Sequence, residues 1–271
     1  MKENVKIFID GGGTSTKVYW KINDVIDFKI FAGLNIQNNE ENALKTLSLI
    51  AYFLKKFNVE NIYIGMPGIE RYSRKENILK IFKNIGQIDI MTDIEVQELL
   101  FCKGKNYLMM CIGSGLIMIE RTKQKKRILN GYGAIFQDHG SSFKFASKFI
   151  EQAILDSQNR IESKYVIYTK KFFNILEIED IKLIYSDWNQ IKPQLLKFTV
   201  FILLTHYNDL KKEADIILEI IFEEFSKYMD KVILDKSIKD IFIFGGMVKN
   251  IFYQKLFLKY FKDKGYNCFF N

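Results

Sequence analysis

The sequence predicts an α/β protein built from two similar halves. Three observations carry that expectation. A strand-like run opens the chain and ends in an acid and three glycines, Asp10-Gly11-Gly12-Gly13. A second strand-like run ends in Gly113-Ser114-Gly115, and behind each glycine turn further strand-like stretches precede helical patterns. The 271 residues suffice for two domains of ordinary size, each with a core of its own.

In the first half, Val5-Lys6-Ile7-Phe8-Ile9-Asp10 reads as a strand, the glycines as a turn and Val18-Tyr19-Trp20-Lys21-Ile22 as the returning strand. Residues 25–31 form a third β-like run, followed by a loop at Gly33-Leu34-Asn35. Ala43, Leu47, Ile50 and Leu54 recur at helical spacing and predict a helix over 40–57. Residues 61–66 read as a buried strand, Pro67-Gly68 as a turn, 74–84 as a helix and 88–92 as a strand, with helix again over 94–101.

The second half repeats the order. Residues 107–112, 116–120 and 127–129 read as strands, helices follow from Ser141, and 165–235 is largely helical. Residues 240–244 form a strand capped by Gly245-Gly246, and another helix follows. The halves divide as 1–103 and 104–271, with a nucleotide cleft expected between them.

Composition narrows the class. With 48% hydrophobic and 15% aromatic residues, the chain is neither disordered nor collagenous. The three cysteines, Cys102, Cys111 and Cys268, form no CxxC pair, so neither a zinc site nor a disulfide framework is indicated, and a reducing cytoplasm fits. The opening MKENVKIFID lacks the apolar core of a signal peptide, and the most apolar later stretch, 198–205, is far short of a membrane span. No membrane partner is expected. The net charge of +8 is scattered, and its densest run, 123–127, falls at a hairpin turn. That distribution argues against nucleic acid and leaves room for an attraction to phosphorylated ligands.

Chemistry concentrates at five places. In Asp10-Gly11-Gly12-Gly13-Thr14-Ser15-Thr16-Lys17, glycines let backbone N–H groups surround phosphate oxygens, Thr14 and Ser15 add hydroxyls, and Lys17 adds countercharge. Asp10 at the strand end can hold Mg²⁺ through water. The plainer reading is an ordinary glycine-rich hairpin. Gly113, Ser114 and Gly115 offer a second such turn, and two turns from similar halves can grip a nucleotide's phosphates from opposite sides. Asp93, at a strand-to-helix junction, is either a helix cap or a carboxylate that accepts a proton from an attacking hydroxyl. The stretch 130–142 holds Gly131, Asp138, His139 and a Gly140-Ser141-Ser142 helix start. It can seat a polyhydroxy ligand, or be a loop with Ser141 as the cap and His139 in packing. Finally, Gly245-Gly246 with Lys249 and Asn250 can lie flat against an adenine ring, or form a tight βα turn.

Taken in order, DGGGTSTK, AGLN at 32–35, GMPG at 65–68, TD at 92–93, IGSG at 112–115, GYGAIFQDHGSSF at 131–143 and FGGMVKN at 244–250 resemble the BadF/BadG/BcrA/BcrD-type ATPase family. The set is most similar to the N-acetylglucosamine-kinase-like branch of the actin/hexokinase superfamily. The resemblance implies two ribonuclease-H-like domains closing on ATP, Mg²⁺ and a small-molecule sugar, in a cytoplasmic enzyme, with homodimer formation left open. It implies that residues 10–14 match the first phosphate motif, 113–115 the second and Gly245-Gly246 the adenosine motif. Asp93 matches the catalytic aspartate, and Asn35 and Asp138 match sugar contacts. The implied reaction is phosphorylation of a sugar hydroxyl, the 6-OH of an amino sugar such as N-acetylglucosamine, glucosamine or a muramic derivative.

Departures from the family pattern fall at Leu116, Gln137 and His139, where serine, glycine and often glutamate are usual, and the chain is expected to lack a final C-terminal segment. Two other functions are compatible with the phosphate loops. One is an ATPase activator of a 2-hydroxyacyl dehydratase, which needs cluster cysteines in a suitable arrangement. The other is a non-catalytic protein that binds ATP or sugar.

Overall fold

Ile7 and Ile9 point to one side of the first strand, β1 (Val5–Gly11), and Phe8 to the other, and all three are buried. Apolar side chains on both faces require a layer on each side of the strand. The computed structural model describes residues 5–270 except 13–14, 23–24, 35, 37–38, 103, 105, 132, 134–136 and 185–187, and only the backbone of 183–184, 188–190 and 192. It divides into two compact units, Met1–Cys102 and Lys103–Asn271.

In the first unit, β1 is joined by β2 (Ser15–Ile22), β3 (Val25–Ala32), β4 (Val59–Gly65) and β5 (Gln87–Met91) in the order β3-β2-β1-β4-β5. The β1–β2 and β2–β3 pairs are antiparallel; β4 runs parallel to β1, and β5 to β4. Helices α1 (Glu40–Leu54) and α2 (Lys75–Phe82) cover one face, where Leu47, Ile50, Ile78 and Phe82 pack on Ile7, Ile9, Ile62 and Ile64. Helix α3 (Asp93–Phe101) covers the other, with Val96 and Leu100 against Phe8 and Tyr19.

The second unit repeats this topology. Strands β6 (Tyr107–Ile112), β7 (Leu116–Arg121) and β8 (Lys126–Asn130) form the antiparallel part. Helices α4 (Ser142–Gln158), α5 (Lys164–Phe173), α6 (Ile181–Ile184), α7 (Trp188–Val200) and α8 (Lys211–Met229) follow, α7 continuing into a π-helical turn at Phe201–Thr205. Strand β9 (Asp240–Phe244) then pairs parallel to β6, helix α9 (Ile251–Asp263) follows, and β10 (Asn267–Phe270) pairs parallel to β9. The order β10-β9-β6-β7-β8 places the strands of the second sheet as the first sheet places its own. Aromatic residues dominate this core: Phe145, Phe149, Phe198, Phe225, Tyr253, Phe257 and Phe261 are buried together. The α/β class holds, with two five-stranded mixed sheets.

Several boundaries move. The helix expected over 40–57 ends at Leu54, β4 begins two residues early at Val59, and α3 begins at Asp93. The strand β10 has no counterpart in the sequence reading; its four residues are too few to show a period. None of the described helices is long and apolar enough to cross a membrane.

Candidate functional site

In the first unit, the site is built at the carboxyl ends of the parallel strands, where open α/β sheets collect ligands. As the central strand, β1 carries Asp10 out between two neighbours, with Lys17 opposite it on β2 and Gly65 opposite it on β4. Gly65 makes room. A Cβ there would lie 2.7 Å from Val96 Cγ2 and 2.9 Å from Asp93 Cα, so only glycine lets the start of α3 settle onto the strand end. Gly11 is tight for a similar reason, since its Cβ would meet the Gly65 carbonyl oxygen at 2.7 Å. Two glycines thus bring Asp93 into the electrostatic field of Asp10.

The helix cap belongs to Thr92. Its hydroxyl accepts from the Glu95 N–H at 3.3 Å, while the Glu95 carboxylate accepts from the Thr92 N–H at 3.0 Å, a complete capping box. The N-cap role, which the sequence leaves open for Asp93, falls to Thr92. Burial raises the Asp93 carboxyl above its ordinary value, opposed by the N–H groups of Ile94 and of Asp93 itself. Burial also pushes Asp10 up to about 6. Hydrogen bonds from Gln97 oppose that rise, the Asp93 charge adds to it, and the Lys17 charge opposes it.

Ser15 is exposed, Lys17 is half-buried, and the Gly12 N–H donates to the Ser15 carbonyl at 2.9 Å, closing the hairpin. Gly13, Thr14 and Asn35, expected to bind phosphate and sugar, lie outside the described residues.

In the second unit, the turn between β6 and β7 and the loop before α4 are one assembly. Asp138 is buried, and its carboxylate accepts from the Leu116 N–H at 2.8 Å. A Cβ on Gly115 would fall 2.8 Å from that carboxylate, which explains the glycine. The Gly113 carbonyl accepts from the first N–H of α4, at Ser142, at 2.9 Å. Gln137 fastens the loop to itself: its N–H reaches the Gly133 carbonyl at 2.9 Å, and its side-chain oxygen accepts from the Gly131 N–H at 3.2 Å. Ser141 is buried and caps α4, accepting from the Lys144 N–H at 3.4 Å. His139 lies 5.3 Å from the Tyr228 ring, and burial, with Lys144 nearby, lowers its basicity, so it packs as a neutral ring.

The glycine pair after β9 adjoins the same turn. Gly245 has φ +114, and a Cβ on it would sit 2.4 Å from the Ile112 carbonyl oxygen, so the end of β9 presses against the end of β6. Gly246 faces open space. Lys249 closes the short helical turn Met247–Lys249, and Asn250 caps α9 by accepting from the Tyr253 N–H at 3.0 Å. Ser114 lies in the turn beside Gly113.

The sequence leaves the cap of α3 open between Thr92 and Asp93, and the structure gives it to Thr92, the first residue of a T-x-x-E capping pattern. Two contributors escaped the sequence reading. Gln97, one helical turn beyond Asp93, donates through Nε2 to both Asp10 oxygens, at 3.2 and 3.1 Å. Tyr253 is wholly buried and donates from its hydroxyl to the Gly140 carbonyl at 2.9 Å, tying α9 to the Asp138 loop. Tyr253→Phe is expected to lower the unfolding free energy by about 1–2 kcal/mol, because a buried carbonyl loses its donor. Urea denaturation measures this, and an unchanged midpoint would show the bond to be dispensable.

No protein-family model matches the chain, and no curated protein matches it in sequence. Solved structures do. A candidate N-acetylglucosamine kinase from Porphyromonas gingivalis is similar with TM-score 0.70 at 14% identity, over 100% of this chain and 95% of that one. A candidate N-acetylglucosamine kinase from Chromobacterium violaceum gives TM-score 0.65 at 13% identity, over 98% of this chain and 94% of that one. A ROK family glucokinase from Streptomyces griseus, in complex with glucose and AMPPNP, gives 0.56 at 14% identity, over 95% and 89%. The chain therefore shares the fold of these structures.

Proposed function

We propose that this chain is an ATP-dependent kinase that phosphorylates a sugar hydroxyl, as its resemblance to the N-acetylglucosamine-kinase-like branch implies. The acceptor is the 6-OH of an amino sugar such as N-acetylglucosamine, glucosamine or a muramic derivative. One observation supports the reading: Asp93 stands at the carboxyl end of the first sheet, in the first turn of a helix whose N-cap is Thr92, and in the field of Asp10. Sharing a fold with sugar kinases supports the assignment, and so does the chemistry of the residues at the site.

Asp93 accepts the proton of the sugar hydroxyl as its oxygen attacks the γ-phosphorus in line, and ADP leaves. Burial of Asp93 moves its basicity toward the working pH, which favours proton transfer. The glycine turns at 11–13 and 113–115 supply N–H groups to the phosphates, and Lys17 adds countercharge. Gly245 and Gly246 leave a flat surface for adenine, bordered by Lys249 and Asn250. In the second unit Asp138, which fixes the loop through the Leu116 N–H, contacts the sugar together with Gly131 and Ser141; in the first unit Asn35 is the matching sugar contact.

A divalent cation fits the first unit. Asp10 supplies a carboxylate at the strand end, and the buried Gln97 Oε1 has no partner among the described residues, so two acceptors suit the donor waters of a hydrated ion. Mg²⁺, when bound, offsets charge on the transferring phosphoryl group.

An ADP-release assay across hexoses and amino sugars tests the proposal. Stimulation by an N-acetylated or free amino sugar over its parent hexose is the expected result. No stimulation by any sugar would remove the kinase reading.

A further inference from the structure

Gln97 does more than fill space. Lying four residues after Asp93, it shares that residue's face of α3, and the helix is anchored through Val96 and Leu100 on the first sheet. Its single amide nitrogen serves both oxygens of Asp10, across a sequence separation of 87 residues. The carbonyl end of the same amide is buried without a partner among the described residues. The side chain that presents the nitrogen to Asp10 also sets the position of the oxygen, so an acceptor is held beside the strand-end carboxylate. Buried acceptors are ordinarily paired, and an exception calls for a donor that the described residues do not supply. Waters in the shell of Mg²⁺ are such donors, and Mg²⁺ commonly keeps several of them.

We infer that Gln97 is a positioning residue for the cation: it orients the Asp10 carboxylate through its nitrogen and receives a water of the cation's shell through its oxygen. The inference rests on the kinase reading, and it assigns to α3 two duties, proton acceptance at Asp93 and cation support at Gln97. A merely structural Gln97 would satisfy Asp10 and contribute to stability, with no influence on how Mg²⁺ affects nucleotide binding.

Calorimetric titration of ADP, with Mg²⁺ and with EDTA, separates these roles in the wild type, Gln97→Leu and Gln97→Met. Both variants are expected to keep the EDTA affinity and to lose about 10–100-fold in the apparent affinity for Mg²⁺, the usual cost of removing an outer-shell partner. Wild-type Mg²⁺ dependence in the variants would overturn the inference. A second measurement needs no variant: Mn²⁺ in place of Mg²⁺ in the wild-type ADP complex is expected to broaden the Gln97 side-chain amide NMR signals. If they stay sharp, the cation is elsewhere and the inference falls. A wild type that binds no ADP under either condition would instead overturn the kinase reading beneath it.

Discussion

Asp93→Asn is expected to cut sugar-stimulated ADP release by about 10²–10⁴-fold, the range spanned by loss of a general base. Asparagine keeps the size and polarity of the side chain and removes its negative charge and its ability to take a proton. The helix does not depend on it, because Thr92 and Glu95 close the first turn between them. Nucleotide affinity and the thermal midpoint should therefore stay near wild type while turnover collapses. That separation distinguishes a catalytic carboxylate from one that merely favours the positive end of a helix, whose loss costs a few tenths to about 1 kcal/mol and no activity. A coupled ADP assay at saturating sugar, with melting curves on the same samples, reads both quantities. Activity within a few-fold of wild type would return Asp93 to an ordinary first-turn acid.

Strand periodicity and glycine turns made most of the architecture legible. Val5 to Asp10 alternates around buried Ile7 and Ile9, and the repeated order of elements marked a duplication that the two sheets display strand for strand. What stayed hidden depends on contacts between distant residues. Nothing near Gln97 in sequence announces Asp10, and nothing near Tyr253 announces Gly140. Gly65 read as one residue of a buried strand, whereas its role comes from the backbone of α3, 28 residues away at Asp93.

The expected ligand contacts show a second pattern. Asp138, Ser141 and Asn250 each hold a local backbone N–H, of Leu116, Lys144 and Tyr253 respectively. Short polar side chains at strand-to-helix junctions are favoured for capping as well as for binding, so residue type alone cannot separate the two duties. The Leu116 N–H takes one of the two Asp138 oxygens, whereas the single Ser141 hydroxyl is committed to the α4 cap, so within the proposed function Asp138 ranks above Ser141 as a sugar contact.

Asp10→Asn should stabilise the metal-free protein while weakening Mg²⁺-dependent nucleotide binding. Burial holds the Asp10 carboxyl near 6 in the folded chain against an ordinary 3.8, so folding carries an ionisation penalty above that value of at most about 3 kcal/mol. The penalty is in full force at pH 7.5, shrinks as pH falls through 6, and is gone below 3.8, where the carboxyl is protonated in both states. Asparagine removes it while its own oxygen still accepts from Gln97. Urea denaturation in EDTA should therefore show the variant more stable at pH 7.5 and the difference closing toward pH 4. A gain that is absent at pH 7.5, or equal at both values, would mean that Asp10 is not desolvated as its position implies. The expected outcome also explains why a costly carboxylate sits at the end of a central strand: in the kinase reading the bound cation offsets there what the empty site leaves uncompensated.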